Sequence, residues 1–118
     1  MWKTAKVRVK NSSLHGRGVF AVEALRRGSI VETCPVIVLP IDDVVENSTL
    51  SFYVYDWGAG SVALALGCGS LYNHADEPHA YAEIEHSKQT ITIKVLRNIE
   101  PGEEVTLNYG DDYPREWS

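Results

Sequence analysis

The chain has 118 residues, of which 44% are hydrophobic and 23% charged, and its formal net charge at pH 7 is −5. That length holds one domain with a real core, not two. The acidic balance argues against nucleic acid as a direct partner and suits a basic one, such as a Lys-containing protein or peptide. No run approaches the roughly 18 apolar residues that a membrane span needs. The opening Met1-Trp2-Lys3-Thr4-Ala5-Lys6 lacks the apolar core of a signal peptide. Cys34 and Cys68 are the only cysteines and lie far apart, so neither a disulfide framework nor a Cys-rich zinc site is indicated. The expectation is a cytoplasmic, reducing setting with no metal and no membrane contact.

Ala5-Lys6-Val7-Arg8-Val9-Lys10 alternates apolar and basic residues and reads as a half-exposed strand. Asn11-Ser12-Ser13 breaks it, and Leu14-His15-Gly16-Arg17-Gly18-Val19-Phe20-Ala21 follows. Two glycines around one residue permit a tight turn or a close backbone approach to something bulky. Without a third glycine and a following helix, they do not make a phosphate cradle.

Val22, Leu25, Gly28 and Val31 recur in spacing as Leu96, Ile99, Gly102 and Val105. Each set reads as a turn delivering the chain into a strand, which fits a β-rich fold of two similar halves. Val36-Ile37-Val38-Leu39 is an apolar strand closed by Pro40, and Asp42 to Glu46 suits one helical turn. Leu50 to Trp57 holds four aromatics, which pack a strand or line a ligand site.

The apolar run Val62 to Gly67 gives way to Gly69-Ser70-Leu71-Tyr72-Asn73-His74-Ala75-Asp76-Glu77-Pro78-His79-Ala80. Asn73 offers two donors and an acceptor, and His74 one of each. The pair could read a polar heterocycle, or close an Asx-type turn between strands. Thr90 to Val95 and Val105 to Tyr109 alternate cleanly and read as strands. The last ten residues carry Tyr109, Tyr113 and Trp117, more aromatics than a frayed tail usually has.

Three pieces stand in order: Gly16-Arg17-Gly18-Val19-Phe20-Ala21, Tyr72-Asn73-His74 to Pro78, and Gly102-Glu103-Glu104-Val105-Thr106-Leu107-Asn108-Tyr109-Gly110. Together they resemble the SET domain of protein lysine methyltransferases, in its minimal viral and small bacterial form. The match runs over about 6–113 of a single 1–118 domain, with 114–118 as a tail. The resemblance implies a mostly β, β-clip fold of small curved sheets with a C-terminal pseudoknot and little helix. It implies S-adenosylmethionine as methyl donor, S-adenosylhomocysteine as product, and a lysine side chain of a protein as acceptor.

On this resemblance Gly16, Arg17 and Gly18 hold the methionine end of the cofactor, and Asn73 and His74 contact it, adenine included. Trp117 packs on the adenine, and Tyr109 is the catalytic tyrosine. Tyr53, Tyr55, Trp57 and Tyr113 line the lysine channel, with Tyr113 limiting the methyl count. The small viral members leave a homodimer open. Ala75 and His79 stand where the family usually has Ser and Asn, and Asn108 where Asp is frequent. Those departures keep a second reading in view, a catalytically weak SET-like module that binds cofactor or a Lys-bearing peptide. A third is an unrelated β-clip module with a structural role.

Overall fold

The computed structural model describes residues 6–14 and 16–108. Its nine strands are β1 (Val7–Asn11), β2 (Arg17–Ala21), β3 (Ile30–Pro40), β4 (Val54–Gly58), β5 (Ser61–Ala65), β6 (Asn73–His74), β7 (Ala80–Glu85), β8 (Thr90–Val95) and β9 (Glu104–Leu107). Helix among the described residues is limited to three 3-10 turns, at Ile41–Asp43, Leu50–Phe52 and His86–Lys88. The mostly β class with little helix is as expected. The one helical turn foreseen at Asp42 to Glu46 forms slightly earlier, directly after Pro40.

The strands make a four-stranded sheet ordered β1-β2-β9-β6 and a five-stranded sheet ordered β4-β5-β3-β8-β7. Strand β3 is the long member of the second sheet. Its first half pairs with β8 and its second half with β5, both antiparallel. The short Val36-to-Leu39 strand is thus only the end of an 11-residue one. Between the sheets lie Val7, Val19, Ile91, Ile93, Ile99, Val105 and Leu107, all at most 2% exposed. Each such aliphatic side chain contributes roughly 1.5–3 kcal/mol by leaving water.

The two spaced repeats meet at this core. Leu25 and Ile99 form an antiparallel bridge, each N–H donating to the other's carbonyl at 2.8 Å. The Gly28 N–H donates to the Val95 carbonyl, and the Gly102 N–H to the Ala21 carbonyl. Both glycines have φ near +90°, at 87° and 89°. That conformation strains any residue with a Cβ, which explains the glycine in each repeat. The repeat is therefore a local two-fold pairing of two equivalent turns.

Two irregularities in the ladders re-aim side chains. The register of β3 against β8 shifts between Ile30 and Glu32, and that of β4 against β5 shifts between Asp56 and Gly58. An extra residue in one strand turns the side chains after it. The first shift places Val31 inside and brings Glu32 and Cys34 to face the loop that follows β5.

Candidate active site

The site is built around β9. This strand lies between β2, its antiparallel partner, and β6, its parallel partner. The β6 pairing sets Asn73 beside Thr106 and His74 beside Leu107. The backbone N–H of Ala75 extends it by donating to the Leu107 carbonyl at 2.9 Å. Two segments more than thirty residues apart are thereby held side by side, immediately before Tyr109.

Asn73 is 9% exposed and its amide is tied down by three elements. Its Nδ2 donates to Glu104 Oε2 on β9 at 2.7 Å and to the Arg17 carbonyl on β2 at 3.0 Å, with Ser12 Oγ at 3.2 Å. Ser12 Oγ in turn donates to Glu104 Oε1 at 2.7 Å. Hydrogen bonds to a carboxylate are shorter and about twice as strong as neutral ones. The donor side of Asn73 is thus committed inside the protein, which fixes the orientation of its amide.

The two glycines beside Arg17 serve different ends. Gly16 has a φ of +47°, and the space a Cβ would enter is open, so its backbone can be approached closely. Gly18 is buried, and a Cβ there would lie 2.1 Å from Glu104 Oε2 and 3.0 Å from Asn73 Nδ2. Gly18 is small to admit the carboxylate that holds Asn73. The Arg17 side chain is exposed beside them, and His74 is half-buried with Nε2 3.2 Å from Asp76 Oδ1.

A cleft of about 630 Å³ opens at the end of β9, where Leu107 and Asn108 line it. Tyr53, Tyr55, Tyr72, Tyr81, Leu107 and Asn108 line it. Among the described residues along it, Asp56 carries the single charge. Tyr55 is fixed by its hydroxyl, which donates to the Gly69 carbonyl at 2.7 Å. Trp57 is not brought to this cleft: it packs on His86 with ring centroids 4.7 Å apart, and its carbonyl meets His86 Nε2 at 2.9 Å. It lies at the β4 irregularity and, like Tyr55, packs against the core. Tyr109, Tyr113 and Trp117 lie outside the described residues.

Under the cleft floor, Tyr72 is 3% exposed and its hydroxyl donates to Glu32 Oε2 at 2.5 Å. The Cys68 N–H reaches Glu32 Oε1 at 3.3 Å. Burial, then the Glu32 charge, pushes the Cys68 thiol up to about 11 and the Cys34 thiol higher still. The same two causes hold the Tyr72 phenol well above its ordinary value. These are proton-holding structural groups, not nucleophiles. His79 donates its backbone N–H to Thr106 Oγ1 at 3.4 Å, while its buried Nδ1 has no partner among the described residues.

The SET domain family model matches residues 16–110. The chain belongs to the SET domain family of lysine methyltransferases. It is 32% identical over 106 residues to a Schizosaccharomyces pombe histone-lysine N-methyltransferase specific for H3 lysine-37, covering 87% of this chain and 72% of that one. Human histone-lysine N-methyltransferase 2B is 25% identical over 91% of this chain, which spans 4% of that protein. A crystal structure of a Plasmodium falciparum protein assigned as a histone methyltransferase superposes with a TM-score of 0.80 at 32% identity, over 94% of this chain and 98% of that one. A humanized mutant of the Chaetomium thermophilum Polycomb Repressive Complex 2, bound to the inhibitor GSK126, matches with a TM-score of 0.75 at 23% identity. It covers 95% of this SET domain and 16% of that chain, and supports the fold alone.

Sequence reading of the SET motifs missed Ser12, Glu32, Glu104 and Tyr81. Glu104 stands five residues before Tyr109 and two before the partner of Asn73, so a diagonal cross-strand contact was the available signal. Glu32 had none, because a bulge turns it toward the loop.

Proposed function

We propose that this SET domain transfers a methyl group from S-adenosylmethionine to the side-chain amine of a lysine in a basic protein, with histone H3 the first substrate to try. The observation that carries it is the parallel β6–β9 pairing, which sets Asn73 and His74 against the strand leading to Tyr109. The residues fit the cofactor: open backbone at Gly16, an oriented amide at Asn73, a half-buried ring at His74 and an exposed cation at Arg17. Bound there, the cofactor supplies an electrophilic methyl group on a cationic sulfur.

The chain's own task is to deliver a neutral amine in line with that methyl. Lysine ordinarily titrates near 10.4, so at neutral pH it arrives protonated. Walls made by Tyr53 and Tyr55 strip water from the ammonium, and a nearby positive sulfur repels it, so its proton leaves to water. The neutral amine these walls hold would then have its lone pair free to accept the methyl group that the bound cofactor would supply. Aromatic faces tolerate the methylated ammonium through cation–π attraction. Asp56, on the same cleft, favours a substrate with further positive charge. Tyr109 would orient the amine and methyl through its hydroxyl, which Phe cannot do.

The full chain should bind S-adenosylmethionine in calorimetry and label a lysine of histone H3 or another basic protein, located by mass spectrometry. Tyr109→Phe should bind cofactor with little change and lose transfer. Failure of the wild type to bind cofactor refutes the proposal. Binding without transfer to any of a broad panel of basic proteins favours the weak-module reading.

A further inference from the structure

We infer that Glu104 is a positioning residue for the methyl donor, acting through Asn73, and that Gly18 is there to admit it. The inference rests on the cofactor reading above and concerns a residue that touches neither cofactor nor substrate in that reading. Asn73 could present its amide to a ligand in either of two flipped orientations, with opposite donor and acceptor character. The Glu104 carboxylate, 2.7 Å from Nδ2, permits only one of them. A reversed amide would set Oδ1 against a carboxylate oxygen and against the Arg17 carbonyl, both acceptors.

The same carboxylate ties together three pieces of chain that come from different parts of the sequence. Oε1 accepts from Ser12, at the end of β1, and Ser12 Oγ also takes the Leu14 N–H at 2.9 Å. That N–H belongs to the turn leading into Gly16 and Arg17. Glu104 thus fixes the orientation of Asn73 and the path of the glycine turn at once. No other carboxylate among the described residues touches both segments.

Gly18 supplies a second, independent observation. Its missing side chain leaves room for Glu104 Oε2, which a Cβ would approach to 2.1 Å. Contacts under 3.0 Å force movement, and here the movable partner is the carboxylate itself. An alanine at 18 therefore acts on the cofactor site by displacing Glu104. In a protein already lacking that carboxylate, it has little left to displace.

The test is a double-mutant cycle on the full chain, read by calorimetry with S-adenosylhomocysteine and by steady-state kinetics. Glu104→Ala should weaken cofactor binding about tenfold, by loss of a charge-assisted hydrogen bond. Cofactor KM should rise with it, while peptide KM stays put. Glu104→Gln should hold affinity within about threefold, because its carbonyl still accepts from Asn73 while its amide turns toward Ser12 Oγ. Gly18→Ala alone should weaken binding, yet add little in the Glu104→Ala background.

Additive losses, or equal losses in cofactor and peptide KM, would show a merely structural role and overturn the inference. So would Glu104→Ala binding as wild type, a result that leaves the methyltransferase reading intact. If Glu104→Ala does not fold, Gly18→Ala against wild type carries the test: unchanged cofactor affinity overturns the inference. No binding by the wild type overturns both readings.

Discussion

Removing one oxygen from Tyr72 measures the buried network under the cleft. Tyr72→Phe keeps the ring, so packing is preserved and no cavity forms. What is lost is the hydroxyl that donates to Glu32 Oε2 at 2.5 Å. Among the described residues, the other donor to that carboxylate from the loop is the longer Cys68 N–H, at 3.3 Å on the other oxygen. A hydrogen bond to a charged group contributes roughly 1.5–3 kcal/mol, and because Glu32 is only half-buried the lower part of that range applies. We expect a loss of about 2 kcal/mol, which in a domain of this size lowers the melting temperature by roughly 10 °C. Thermal unfolding followed by circular dichroism, with urea midpoints at constant m, reads this directly. Tyr81→Phe is the control, since Tyr81 is 42% exposed and should shift stability by less than about 0.5 kcal/mol. A Tyr72→Phe melting point within a degree of wild type would refute the claim that Glu32 needs this donor.

Alkaline pH should find the same cluster. The buried thiols keep protons that the unfolded chain gives up from pH 9, so stability should fall as pH rises above 9. The slope is about 1.4 kcal/mol per pH unit for each group that ionises only when unfolded. Cys68→Ala should remove one group's share of that slope between pH 9 and 11, read from urea midpoints across the range. Gly28→Ala and Gly102→Ala should each cost about 1–2 kcal/mol and nearly the same amount, since both have φ near +90° and open space for a methyl. Unequal costs in chemical unfolding would break the two-fold reading of the repeats. Ile93→Ala, at a side chain with no exposure, should cost about 2–5 kcal/mol by the same measurement. Tyr53→Ala should raise peptide KM and leave cofactor affinity unchanged, because Tyr53 lines the cleft and not the Asn73 side.

Much of this was legible in the chain. Alternation showed the strands around Val7, Ile91 and Val105, since a half-buried sheet imposes a period of two. The paired spacing around Gly28 and Gly102 marked two equivalent turns, because only glycine tolerates that backbone there. Asn73, His74 and the Gly16-to-Gly18 turn were found as motifs. Three things were out of reach for physical reasons. Trp57 follows Tyr55 at the spacing of one strand face, and nothing in that spacing shows its ring packing on His86. Glu32 reaches Tyr72 through a register shift, which no pattern of hydrophobicity encodes. Glu104 sits in a run of two glutamates that reads as solvated surface, and only the lack of a side chain at Gly18 reveals where one of them goes.

The register of β9 is what makes one site out of these parts. Along four residues and the one that follows, each position meets a different task. Glu104 holds Asn73, Val105 fills the core, Thr106 takes the His79 N–H, and the Leu107 carbonyl takes the Ala75 N–H. Asn108 then lines the cleft. Because side chains alternate along a strand, a slip of one residue would send Glu104 toward the core and Val105 toward Asn73. No conservative substitution could repair that, as every contact would change at once. The parallel pairing of β6 with β9, only two residues long, is secured against such a slip by Glu104 at one end and the Leu107 carbonyl at the other. The Asn73 side and the tyrosine-lined cleft are consequently set by one register, that of β9.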